Sequence, residues 1–294
     1  MIEARDLRKE YGDFAAVEGS TFAVDAGEVF GIIGPNGAGK TTTLKMLAGL
    51  LEPTAGSATV AGYDAEDTEM RKRLGFLPEE SPLYEEMTPL SYLRFFADLY
   101  DVPRSVADDR IDETLSELDL EHRTRQLGDM SKGMKRKVAI ARSLINDPDV
   151  LIYDEPASGL DPLTTNYIIQ FTERLAEEGK TIVFSAHNLF HVESICDRVA
   201  IMNEGEIVAK GDLDALQREY GDTEYHVYTT VEVPDSVREN GQYRRVVESM
   251  DAVESVREAA EAAGGEVADI RTEESSLEEV FLNVAESGRR RSEA

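Results

Sequence analysis

The segment GPNGAGKTT, Gly34 to Thr42, follows the apolar run EVFGII and precedes the helical pattern TTLKMLAGLL. It fits the template G-x-x-x-x-G-K-[ST], in which a strand before and a helix after are the setting for phosphate binding. Gly34, Gly37 and Gly39 let the backbone turn sharply and approach an anion. With Pro35, Asn36 and Ala38 they form a loop whose amides and following helix start face phosphate oxygens. Lys40 then reaches the outer phosphates, and Thr41, followed by Thr42, offers a hydroxyl to magnesium. Such a loop serves many ATPases, GTPases and kinases, but no NKxD sequence follows it, which counts against a guanine-specific enzyme.

A second apolar run, DVLIYDEP, ends in the carboxylates Asp154 and Glu155. Alternation along a strand sends neighbouring side chains to opposite faces, yet at the strand's end the chain turns and both can border one site. Coupled to the Gly34 loop, the pair divides the labour: Asp154 holds the magnesium shell and Glu155 polarises the water that attacks a γ-phosphate.

The elements that must position these groups alternate. From Met1 to about Tyr220, β-rich segments such as EVFGIIG, DVLIYDE, TIVFSA and RVAIMNEG interleave with helical patterns, which predicts an α/β domain with a largely parallel sheet. VLIY and TIVF are nearly continuous apolar runs, as expected of strands covered on both faces. Between about residues 79 and 145 the strand signal fades into a helical insertion, with Leu93, Phe96 and Leu99 expected in its core. IMNEGEIVAKG predicts a hairpin turning at Asn203 to Gly205. Residues 221–286 form a separate small α+β pattern of strand, helix, strand and serine-capped helix, and residues 287–294 lack apolar anchors and are expected to be a disordered tail.

Composition narrows the setting. Among 294 residues, 59 Asp and Glu stand against 31 Lys and Arg, a net charge of −28, and 41% apolar content suffices for a sizeable core. The negative charge is dispersed rather than blocked, which suits a halophile's saline cytoplasm, where salt screens self-repulsion. The expected result is a thermal midpoint that rises with potassium chloride concentration; a midpoint indifferent to it would refute this adaptation. The single cysteine, Cys196, makes an intrachain disulfide impossible. No charged-then-apolar leader and no run of eighteen apolar residues is present, so action at a membrane calls for a spanning partner.

The motifs GPNGAGKTT, SKGMKRKVAIARSL, VLIYDEPASGLDP and SAHNLFHVESICDRVAIMNEGEIVAKG stand in the order and approximate spacing of ATP-binding-cassette ATPases, the nucleotide-binding subunits of ABC transporters. The resemblance covers about residues 1 to 220 and is nearest to stand-alone cassettes of exporters, whose small carboxy-terminal extension residues 221–286 resemble. It implies a P-loop NTPase cassette fold with a helical subdomain, ATP and Mg2+ as ligands, a transmembrane permease subunit and a second cassette as partners, and a place on the cytoplasmic, inner face of the membrane. It also implies that Tyr11 stacks on adenine, His187 contacts the γ-phosphate and orients the water, and Asp161 crosses to the opposite subunit. Glu79 stands where many cassettes have a glutamine that senses magnesium. Ser131 and Gly133, in a segment reading MSKGM where L-S-G-G-Q is usual, bind the γ-phosphate held by the second subunit, as the free amides of a helix start allow. Lys132 replaces a glycine there, while Lys135, Arg136, Lys137 and Arg142 are expected to pair with carboxylates along the helix. A non-transport cassette acting on nucleic acid or ribosomes is the alternative. No fused second cassette, long coiled coil or broad basic face supports it, and no nucleic-acid partner is expected.

Overall fold

The computed structural model describes residues 1–186 and 188–292, with side chains at all of them except 274 and 285–292. The chain divides into two compact units, Met1–Gly211 and Asp212–Ala294.

In the first unit the elements run β1 (Ile2–Tyr11), β2 (Phe14–Val24), β3 (Val29–Ile33), α1 (Lys40–Leu47), β4 (Ala55–Val60), β5 (Tyr63–Asp64) and β6 (Leu74–Leu77). Then follow α2 (Pro89–Leu99), α3 (Arg104–Glu117), α4 (Lys132–Leu144), β7 (Val150–Asp154), α5 (Pro162–Glu177), β8 (Thr181–Ala186), α6 (Leu189–Ile195), β9 (Arg198–Asn203) and β10 (Glu206–Asp212). The main sheet has the order β10-β9-β3-β8-β7-β6, and its β9/β3, β3/β8, β8/β7 and β7/β6 pairs are parallel. Every residue of β3, β7 and β8 is buried, which is why these strands carry unbroken apolar runs. The β9–β10 hairpin turns through Glu204 and Gly205, both at positive φ.

A second sheet, β2-β1-β4-β5, is wholly antiparallel and is not foreseen by the alternation of strands and helices. Its β1 is masked in the sequence by charge and by a register shift between Ala4 and Leu7, where Asp6 takes positive φ. Ile2, Ala4, Leu7, Phe22 and Val60 join Leu44 and Leu47 of α1 and Ile32, Ile152 and Val183 of the main sheet in one core. Phe22 stacks on Phe30 with ring centroids 5.3 Å apart, tying the two sheets together.

The helices α2, α3 and α4 fill the connection from β6 to β7. Leu93 is fully buried, Phe96 is half-buried against Tyr92 at 4.9 Å, but Leu99 is 62% exposed, because α2 ends there and its last turn runs off the packed face. The basic residues of α4 also depart from expectation. Lys135 meets Glu85 at 3.0 Å, whereas Lys137 donates to the Asp119 carbonyl and Arg142 to the Tyr92 hydroxyl. Arg136 points inward onto backbone carbonyls.

The second unit comprises α7 (Leu213–Tyr220), β11 (Thr223–Thr229), β12 (Val237–Glu239), β13 (Gln242–Val247), α8 (Met250–Ala262), β14 (Val267–Glu274) and α9 (Leu277–Ser292). Its antiparallel sheet has the order β12-β13-β11-β14, and Val253, Val256 and Ala260 of α8 pack on Val227 and Val247. A capping box starts α9: the Ser276 amide donates to Glu279 Oε2 and the Glu279 amide to Ser276 Oγ. Leu213–Tyr220 falls within this unit rather than with the residues before it. The α9 backbone continues to Ser292, beyond residue 286, where the apolar anchors end; arginine, which fills much of that stretch, is a strong helix former. Glu293 and Ala294 lie outside the described residues.

Candidate nucleotide site

The loop between β3 and α1 is shaped by contacts that only glycine tolerates. A Cβ on Gly34 would lie 2.2 Å from the Met202 carbonyl oxygen, and one on Gly39, at φ +101, would lie 2.6 Å from the Ala16 carbonyl oxygen. Gly39 is the N-cap of α1, with no side chain at that cap to occupy the free amides of the first turn. The Lys40 ammonium lies within the loop, donating to the carbonyls of Gly34 (2.7 Å) and Pro35 (3.1 Å) and standing 3.9 Å from Glu155 Oε1. Burial lowers its pKa, an effect opposed by Glu155, Asp154 and Glu79.

The end of β7 brings its carboxylates to the same place. Thr41 donates its hydroxyl to Asp154 Oδ1 at 3.1 Å, and Ser185, at the end of β8, donates to that same oxygen at 2.7 Å. Ser185 Oγ also accepts from the Glu155 amide at 3.0 Å. Glu155 itself has φ +47, a left-handed backbone that a non-glycine residue adopts at a cost of about 1–3 kcal/mol. This reversal turns two consecutive strand-end side chains toward one loop.

Around these groups lies a cavity of about 720 Å³ lined by Asn36 to Thr42, Tyr11, Phe14, Ala16, Glu79, Glu155 and Ser158. Tyr11 and Phe14 are 53% and 64% exposed, so neither is a core aromatic, and both line the cavity, where an aromatic ring is suited to stacking on a flat base. Thr41, Asp154 and Glu79 offer hard oxygen donors, the set a magnesium ion accompanying a triphosphate prefers.

The other expected residues lie apart from this cavity. Ser131 is the N-cap of α4, accepting from the Met134 amide at 3.3 Å, and Gly133 packs on Thr164, whose Cγ2 would be 3.0 Å from a Cβ there. Asp161 caps α5, and hydrogen bonds from the Thr164 hydroxyl and amide hold its carboxyl below the usual range. His187 lies outside the described residues. Ser185, Ser158 and Arg136 were missed: Ser185 had a signal, a hydroxyl closing an apolar strand next in the sheet to DVLIYDE, whereas Arg136 was hidden among solvated basic neighbours.

A glycine-shaped loop on a helix start, with a lysine and a threonine facing the carboxylates of a nearby parallel strand, defines a P-loop nucleoside triphosphatase. Residues 17–158 match the family model described as ABC transporter. An uncharacterised ABC transporter ATP-binding protein of Nostoc sp. is 36% identical over 96% of this chain and 89% of its own length. The Nod factor export ATP-binding protein I of Burkholderia lata is 38% identical over 73% of this chain and 72% of its own. A dimeric ATP-binding cassette in a post-hydrolysis state, bound to ADP and Pi, superposes with a TM-score of 0.66 at 26% identity, covering 72% of this chain and 99% of that one. The chain belongs to the ABC transporter ATP-binding proteins; it has their α/β cassette fold and is an ATPase.

Proposed function

We propose that this chain powers an exporter from the cytoplasmic face of a membrane, two copies closing head to tail around ATP and passing the motion to a permease. The observation that carries the reading is the convergence of Lys40, Thr41 and Glu155 on one cavity that Tyr11 also lines, with Asp154 accepting from the Thr41 hydroxyl. The amides of Gly34 to Gly39 and the Lys40 ammonium bind the triphosphate, and Tyr11 holds the adenine. Glu155 takes the proton of the attacking water, with His187 orienting that water. Thr41, Asp154 and Glu79 hold magnesium, which when bound neutralises charge developing on the transferred phosphoryl group. Ser131, Gly133 and Asp161, which lie apart from the cavity of their own chain, serve the nucleotide of the second copy.

The cassette expected over residues 1–220 acts through the unit Met1–Gly211, with the helical subdomain of residues 79–145 facing the permease, and the unit that holds residues 221–286 is accessory. Export, as opposed to import, is favoured by the named role of the Burkholderia relative and by the resemblance of the carboxy-terminal unit to exporter extensions. No helix among the described residues is long and apolar enough to cross a membrane, and the pore is assigned here to the permease. The test is to identify the multispan protein that co-purifies from native membranes and to reconstitute both in vesicles. ATP-dependent movement of cargo away from the cassette side is expected; ATP-driven movement toward that side would overturn the direction.

A further inference from the structure

Arg136 lies in the second turn of α4 and is 7% exposed, in a chain rich in carboxylates that could have paired with it. Among the described residues its hydrogen-bond acceptors are backbone carbonyls and one hydroxyl. Its Nε donates to the Pro156 carbonyl at 2.7 Å, and Nη2 donates to those of Asp154 (3.1 Å) and Glu155 (2.8 Å). Its Nη1 donates to the carbonyls of Pro78 (2.6 Å) and Glu79 (3.0 Å) and to Ser81 Oγ (3.2 Å). All three nitrogens are engaged, and the acceptors form two groups: the loop after β6 that carries Glu79, and the turn after β7 that carries Asp154 and Glu155.

A buried cation is costly even when fully hydrogen-bonded, and an apolar residue of similar volume often serves stability as well. Burial pushes the Arg136 pKa down to about 10, against the pull of Tyr153 and Asp154. What an apolar residue does not supply is a planar fork that fixes two separate backbones at once. The left-handed turn at Glu155 is one of the two backbones so fixed.

We propose that Arg136 is a positioning residue that clamps the Glu79 loop to the Glu155 turn, so that the two move as one body, and that carries to both any displacement of the α4 start at Ser131. This rests on the reading of Glu155 as base and Ser131 as a contact to the second copy's nucleotide. Phosphate capture in one site thereby sets the carboxylate of the other.

The test uses the full chain with Arg136→Gln and Arg136→Lys, measuring kcat and KM for ATP, the affinity for a non-hydrolysable fluorescent ATP analogue, and the thermal midpoint. Arg136→Gln should lower kcat at least about tenfold while leaving analogue affinity within about twofold. Arg136→Lys, which keeps the charge but has three donors on one nitrogen, should recover part of kcat. Loss of kcat matched by equal loss of analogue affinity, or unchanged kcat, would overturn the clamp. If Arg136→Gln does not fold, Ser81→Ala decides, since it removes one acceptor from the loop arm: about a threefold fall in kcat at unchanged affinity supports the clamp, and no fall overturns it. Glu155→Gln is run alongside. Turnover retained there overturns the reading of Glu155, whereas an inactive Glu155→Gln beside a fully active Arg136→Gln overturns only the clamp.

Discussion

Glu155→Gln lowers ATP turnover about a thousandfold while ATP still binds and still brings two copies together. The magnitude follows from the role: a positioned general base contributes about 10²–10⁴-fold, and an amide of the same shape takes no proton from water. Binding survives because Glu155 is not what holds the phosphates. On the proposed reading the loop amides and Lys40 do that, and the hydrogen bonds from Lys40 to the Gly34 and Pro35 carbonyls do not involve Glu155. Removing the negative charge that stands 3.9 Å from Lys40 also relieves repulsion toward a γ-phosphate, so association should tighten. The measurements are phosphate release and light scattering with and without ATP. Turnover within tenfold of the unaltered chain would remove Glu155 from the chemistry.

Lys40→Ala fails at an earlier step, raising the ATP dissociation constant by about 10- to 100-fold, since a charge-assisted hydrogen bond is worth about 1.5–3 kcal/mol and 1.4 kcal/mol is tenfold in affinity. The same substitution leaves Asp154 and Glu155, 1% and 8% exposed, without the buried cation between them and the loop. A drop in thermal midpoint in the absence of nucleotide is therefore expected as well. Equilibrium binding of a fluorescent ATP analogue, read beside thermal denaturation, separates the two effects. Normal affinity would contradict the assignment of the loop.

Much of this site was legible because its parts are local. The loop from Gly34 to Thr42 is one contiguous template, and the Asp154–Glu155 pair ends a strand whose continuous apolar run announces burial on both faces. Their meeting, seen in the hydrogen bond from Thr41 to Asp154, is long-range but follows from the template. Three features were hidden for different physical reasons. The antiparallel sheet of β1, β2, β4 and β5 is half-solvated, and its charged outer face and register shifts blur the period of two. The left-handed φ of Glu155 is imposed by surroundings, since nothing in a glutamate favours it. Arg136 is set apart from Lys135 and Lys137 chiefly by burial, which no pattern of charge encodes. The β12–β13 hairpin is a different matter: Asn240 and Gly241, both at positive φ, are an Asn-Gly turn whose signal stood in the sequence unread.

Because β6 and β7 are adjacent and parallel, any link between them must cross from one end of the sheet to the other, and α4 alone spans such a crossing. The helices α2 and α3 are additions placed before that crossing helix, so lengthening, shortening or exchanging them leaves the strand order and the carboxylates of β7 where they are. On the proposed reading, in which the helical subdomain meets the permease, α2 and α3 can be altered to suit a membrane partner without moving the strand that carries Asp154. On that reading one catalytic engine can be fitted to many different pores by rewriting α2 and α3 alone, with the loop that carries Glu79 and Ser81 kept as it is.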